Sequence, residues 1–256
     1  MPDITVGAQM YTLRDYCQDP DGVRESLAKV ADIGYSAIQI SGFGEVDMGE
    51  VAEICEEYEL DVAATHEGWG RFKNELDELI EEHKTLGCSH PAIGGLPGEY
   101  HCAEGVQQFI DELGPIAEKL RSEGMDFSYH NHNHELVHYD GKPWLERLYT
   151  HAPAKLLKAE IDTYWIQAGG GDPAAWIRWC GGREPLVHFK DMAVGEEREP
   201  RFAPIGEGNL NWDAIIEACR MGGVEYALVE QDQCYDMDPF EALEISYNNL
   251  QDMGLE

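Results

Sequence analysis

Positive charge is what this sequence has least of. Eighteen Lys and Arg stand against fifty Asp and Glu, a formal charge of −32 over 256 residues. Such a chain repels nucleic-acid phosphates and anionic membrane surfaces at ordinary salt, which argues against both as partners. The carboxylates are spread along the chain, as in EEYELD, NELDELIEEH and EALEIS, rather than gathered in one tail. Like charges set this close are tolerated best under strong screening, so the surface reads as haloadaptive. Long apolar runs are missing too. No stretch approaches the roughly 18 apolar residues of a membrane span, and the opening MPDITVGAQMYT has neither a basic nor an apolar leader segment, so a soluble cytoplasmic protein is expected. The seven cysteines contain no CxxC pair and no close-spaced framework, which reads as reduced thiols rather than staples or a zinc ribbon. Neither a GxGxxG after the first strand-like run nor a GxxxxGK[ST] is present, so nucleotide-cradling loops are not supported. A GGGD at 169–172 precedes a helix and reads as a flexible loop before it reads as an anion cradle.

What is present is alternation. Short apolar, β-rich runs at 4–12, 37–41, 61–66, 90–95, 125–132, 156–162, 186–191 and 226–232 are followed by amphipathic stretches. The helix-like segments start near Asp21, Asp47, Phe72, Cys102, Pro143, Pro173, Asn211 and Pro239, several with an Asp or Asn cap or a first-turn proline. Continuous apolar runs suit parallel strands buried on both faces. Eight strand-then-helix pairs in one chain of this length predict a single α/β domain over 1–256, a (β/α)8 TIM barrel.

Polar residues that are costly to bury close these runs, at the end where barrel enzymes carry their sites. Strand three ends in THEGWG, strand five in YHNHNHEL, strand six in EIDTYW, strand seven in VHFKD and strand eight in LVEQD. Metal coordination is the simplest reason to collect such groups. Glu135, Asp162, His188 and Glu230 would make a set of three carboxylates and one imidazole, suited to Mn²⁺, Mg²⁺ or Co²⁺ and less to Zn²⁺. Without a cation, three gathered carboxylates are expected to raise one another's pKa. On a strand His130, His132 and His134 share a face, while Glu135 needs a bend or bulge to join them, so the assignment within HNHNHE stays open.

At these residues the chain resembles the xylose isomerase-like TIM barrels, in particular the sugar phosphate isomerase/epimerase superfamily. The likeness runs in order through GAQMYTLRD, THEGWG, YHNHNHEL, EIDTYW, HFKDM, PIGEGNLNW and ALVEQD. The resemblance implies one divalent metal held by Glu135, Asp162, His188 and Glu230. It also implies a substrate-contacting role for His66 and Trp69, and for Lys190 the place of the polar residue after the metal-binding histidine. Relatives include epimerases, isomerases and dehydratases, so the motif set names a superfamily and not a substrate.

The implied chemistry is isomerisation or epimerisation of a sugar or ketose by proton transfer through a metal-bound enediolate. Glu135 and Glu230 would share the acid/base roles, with Lys190 neutralising oxyanion charge. In a dehydratase or lyase acting on an inosose or keto-glycoside, His132 or His134 would be the base. His130 and His132 would bind substrate, and Trp69, Tyr164 and Trp165 would stack on a sugar face. The scarcity of basic residues at the rim argues for an unphosphorylated sugar or polyol. DNA hydrolysis, known among barrels of this kind, is opposed by the charge, and an inactive sugar-binding barrel is the non-enzyme alternative. The segment 193–204 reads as a lid or as a subunit contact in a homo-oligomer.

Overall fold

The computed structural model describes residues 4–255. Eight strands form a closed barrel in chain order: β1 (Thr5–Gln9), β2 (Ala37–Ile40), β3 (Asp61–Glu67), β4 (Pro91–Ile93), β5 (Ser128–His130), β6 (Lys158–Asp162), β7 (Leu186–Phe189) and β8 (Tyr226–Val229). Every pairing is parallel, including the β1–β8 closure, so the alternation read from sequence is a single (β/α)8 barrel. Helices α1 (Pro20–Ile33), α2 (Met48–Glu57), α3 (Trp69–Asn74), α4 (Leu76–Leu86), α5 (Gly105–Ser122), α6 (Trp144–His151), α7 (Thr163–Ala168), α8 (Pro173–Cys180), α9 (Trp212–Gly222) and α10 (Pro239–Asp252) surround it. Asp19, Asp47, Asp172, Asn211 and Asp238 each accept a backbone N–H at a helix start. Each such cap is worth about 1 kcal/mol. Asp172 thereby caps α8 with its own carboxylate, and the GGGD run serves the turn into that helix.

Most strands are shorter than the apolar runs that encode them, and at the ends of β1 and β5 side chains take over the backbone donors. Gln9 ends β1 by accepting from the Tyr11 N–H, and Met10–Tyr16 winds into a 3₁₀ turn. In place of the run 125–132, β5 spans only Ser128–His130. Beyond it Asn131 Oδ1 accepts from the Asp162 N–H and the Glu135 carboxylate accepts from the His132 N–H. β4 contracts to Pro91–Ile93. The helix expected near Phe72 starts at Trp69, and the one near Cys102 at Gly105.

The barrel interior has two layers, because alternate strand residues face the same way. One holds a small apolar cluster of Ala37, Ala63, Ala64, Leu186 and Leu228. Gly7 belongs beside it: a Cβ there would lie 2.9 Å from a Leu228 methyl and 3.0 Å from the Ala37 carbonyl, so nothing larger fits. Two residues further along the same strands stand Gln9, Gln39, His66, His188 and Glu230, joined by Asp162 from β6, nearly all of them buried. One register thus builds an apolar plug and, directly above it, a polar floor.

The segment 193–204 forms most of an antiparallel ribbon, Asp191–Val194 with Pro200–Ala203. Its base is tied down by Asp191, whose carboxylate accepts from the N–H groups of Met192, Gly206, Gly208 and Leu210 and from Trp212 Nε1.

Candidate active site

Above the plug, buried amide and carboxylate side chains lock one another in place. Gln39 Oε1 accepts from Gln9 Nε2 at 3.0 Å and from His188 Nε2 at 2.6 Å, while its Nε2 donates to Glu160 Oε1 at 2.7 Å. Glu160 Oε2 lies 2.9 Å from His66 Nε2. His188 turns its other nitrogen, Nδ1, to Glu230 Oε2 at 2.8 Å. His130 Nε2 meets Asp162 Oδ2 at 3.2 Å, and Asp162 Oδ1 caps α7 through the Trp165 N–H. The ligating atoms of His130, Asp162, His188 and Glu230 all lie within 4.8 Å of one another, and all four residues are buried.

Lys190 stands among the carboxylates. Its Nζ is 3.0 Å from Asp162, 2.7 Å from Glu230 and 2.9 Å from Asp232. The general rise in carboxylate pKa expected from crowding does not occur for that reason. Burial opposes ionisation of Asp162 and Glu230, but the Lys190 charge together with His130 and His188 outweighs it and holds both below the usual carboxylate range. Glu160 is held down likewise by His188 and His66. Only Asp232, pressed by burial and by the Glu230 charge, is raised to about 6. Burial would depress His188, yet Glu160 and Glu230 push it up to about 10, so it donates from both nitrogens. Lys190 is raised too: Asp162, Glu230 and Asp232 overcome its burial.

A cavity of about 570 Å³ opens above this floor. Lys190, Glu230, His130, His66, His132 and Trp165 line it, as the sequence predicts, together with Tyr11, Arg14, Phe202 and Asp232, among others. His132 packs tilted against Trp165 with ring centroids 5.3 Å apart, and burial lowers its pKa to about 3. Phe202 of the ribbon stacks on Tyr164 at 4.1 Å, so Tyr164 packs a wall and Trp165 alone of that pair faces the cavity.

Three expected residues stand elsewhere. Trp69 is 3% exposed inside an aromatic cluster with Phe72, Phe109 and Phe127 and donates to the Tyr100 hydroxyl, so it is packing and not a substrate contact. Glu135 is fully buried but neither joins the four-residue group nor lines the cavity. Its carboxylate accepts from the Tyr129 hydroxyl at 2.8 Å and the His132 N–H at 2.9 Å, because the chain bends away from the strand after His130. His130 takes the place expected of Glu135. His134 lies against Glu135, does not line the cavity and is half exposed. Residues not anticipated are Gln9, Gln39, Glu160 and Asp232. For Gln39 and Glu160 the available signal was a glutamine or glutamate inside a short apolar strand, two residues from a polar group.

The profile of the family described as xylose isomerase-like TIM barrel matches residues 27–233. A comparison with curated protein sequences finds no match. Among solved structures, a sugar phosphate isomerase/epimerase from Parabacteroides distasonis is similar at 20% identity, with 98% of this chain and 94% of that chain covered and a TM-score of 0.79. D-allulose 3-epimerase from Methylomonas sp. is similar at 14% identity, with 98% of each chain covered and a TM-score of 0.70. The probable 3-DHS dehydratase from Bacillus anthracis is similar at 14% identity, with 97% and 99% covered and a TM-score of 0.77. At these identities the likeness shows the fold. No helix among the described residues is long and apolar enough to cross a membrane.

Proposed function

Because the chain belongs to the xylose isomerase-like TIM barrel family, we propose that it is a divalent-metal-dependent isomerase or epimerase that moves a proton beside the carbonyl of an unphosphorylated sugar or ketose. The observation that carries this reading is the buried group His130, Asp162, His188 and Glu230 beneath a polar cavity. Two imidazoles and two carboxylates fit Mn²⁺, Co²⁺ or Zn²⁺ and suit Mg²⁺ less well than an all-oxygen set would. Gln39 favours the same use of His188: with Nε2–H held on Gln39 Oε1, Nδ1 is the nitrogen that would exchange its proton for an ion. A bound ion supplies Lewis-acid polarisation of the substrate carbonyl.

The chain's own groups do the rest. Lys190, fixed between Asp162 and Glu230, places a positive charge where negative charge grows on a substrate oxygen. Asp232 and His132 line the cavity and are positioned to take and return the proton, with Glu230 beside them. His66, braced by Glu160, and Trp165 hold the sugar from two sides. Rim cations are few, which favours a neutral substrate. A dehydratase reading draws support from His132, a base over the cavity with burial keeping it neutral, and from the fold shared with a protein named as a probable dehydratase.

The test is solvent exchange. Ketohexoses and ketopentoses are incubated with the Mn²⁺-loaded protein in D₂O and followed by NMR. Deuterium entering at the carbon next to the carbonyl, and lost with Asp162→Ala, is expected. Loss of water from an inosose without such exchange would favour the dehydratase. No reaction across both panels would overturn the enzyme assignment.

A further inference from the structure

Glu135 is a buried carboxylate that the proposed chemistry does not use. Its Oε2 is occupied by the His132 N–H. Its Oε1 accepts from the Tyr129 hydroxyl and faces two imidazole nitrogens, His134 Nε2 at 3.1 Å and His101 Nε2 at 3.8 Å. His101 Nε2 is a buried atom with no hydrogen-bond partner among the described residues, and 3.8 Å is too long to supply one. The two imidazole rings lie 4.4 Å apart. Two imidazoles in contact around one carboxylate oxygen, one of them unpaired, leave a cation's worth of coordination unused.

The surroundings are rigid. Trp144 Nε1 donates to the Tyr100 carbonyl at 2.9 Å and the Tyr139 hydroxyl to the His101 carbonyl at 2.6 Å, pinning the loop before α5 against the turn that carries His134 and Glu135. We propose that His101, His134 and Glu135 form a second divalent-cation site, of zinc type, outside the cavity. Bonds of about 2.0 Å in a tetrahedral shell set neighbouring ligand atoms about 3.3 Å apart, and the two nitrogen-to-oxygen distances here bracket that spacing. Two imidazoles with one carboxylate select a borderline transition metal over Mg²⁺ or Ca²⁺. A fourth position stays open beside His134, the most exposed of the three, for water or a hydroxyl ligand. The ion ties the loop at His101 to the turn after β5. Through Glu135 it also fixes the backbone of His132, whose ring lines the cavity.

Zinc per chain is counted by elemental analysis after stripping, reloading with Zn²⁺ and desalting. Wild type is compared with His101→Gln, His134→Gln and Asp162→Ala, with circular dichroism confirming the fold of each. Roughly two ions are expected in wild type and roughly one in every variant. Zn²⁺ should raise the melting temperature of Asp162→Ala, and this rise should vanish when His101→Gln is added. If wild type holds roughly one ion that His101→Gln loses and Asp162→Ala keeps, this site stands and the rim site of the proposed function falls. If His101→Gln and His134→Gln hold as much zinc as wild type, the second site is overturned and the rim reading is untouched.

Discussion

The two layers of the barrel interior are made by the same strands in the same register, and they spend that position differently. Leu186 and His188 share a face of β7, and the face of Leu228 on β8 continues to Glu230 just past the strand. The lower member of each pair joins the apolar plug and the upper member joins the charged floor. Below, fit is set by volume, to the point that Gly7 cannot be replaced. Above, volume matters less than the match of charge. Four buried or nearly buried carboxylates, Glu160, Asp162, Glu230 and Asp232, are met inside the protein chiefly by Lys190 and His188. Desolvation makes such a layer costly unless every charge is paired, so it is poorly explained as a stabilising device and well explained as a site.

Breaking the upper layer should have the largest effect. Lys190→Met leaves Asp162, Glu230 and Asp232 facing one another, and the metal-free protein should lose about 3–5 kcal/mol of stability in urea unfolding. Saturating Mn²⁺ should restore a large part of it, since a cation again stands among the carboxylates. A metal-free variant as stable as wild type would mean that the carboxylates are not held down by this lysine. Turnover should fall at the same time by about 10²–10³-fold, as for loss of one oxyanion-stabilising group.

Breaking the lower layer sharpens the contrast. Leu228→Ala should cost about 2–5 kcal/mol through lost burial and the cavity left behind. Metal affinity should stay within a few fold of wild type. Equal damage to binding and stability would show that the layers are not separable.

Histidine allows a finer comparison, because the barrel treats the same side chain in opposite ways. His188 is pushed up to about 10 by its carboxylates, whereas His83 on α4, donating to the Leu79 carbonyl and accepting from the Thr65 hydroxyl, is buried neutral and lowered to about 4. Between pH 6.5 and about 4 the unfolded chain takes a proton that folded His83 refuses, so this contribution is complete above 6.5 and is lost as pH falls to about 4. The loss amounts to about 3 kcal/mol. Urea midpoints measured across that range should fall less steeply in His83→Gln than in wild type, and parallel profiles would contradict the assignment.

Much of this was legible in the residues. The barrel follows from eight apolar runs each trailed by an amphipathic stretch, and Asp162, His188 and Glu230 were visible because each ends such a run with a group too costly to leave unpaired. What was not legible lies where side chains override the local pattern. Alternation puts His130, His132 and His134 on one face. Once Glu135 captures the His132 N–H, the strand stops at His130, and of the later residues His132 still lines the cavity while His134 and Glu135 do not. Trp69 follows a polar strand end, yet it opens α3 and folds into the aromatic cluster. Gln39 lies in an apolar AIQI strand and shows its role only when Gln9, Glu160 and His188 arrive from three other strands.

The central claim is that the charged floor binds a metal through His130, Asp162, His188 and Glu230. Mn²⁺ binding to purified wild type, Asp162→Ala and Glu230→Ala, followed by electron paramagnetic resonance at high salt, tests it most directly. Roughly one tightly held Mn²⁺ in wild type, lost in both variants, is the predicted result. Wild type that binds none, or variants that bind as tightly as wild type, would contradict it.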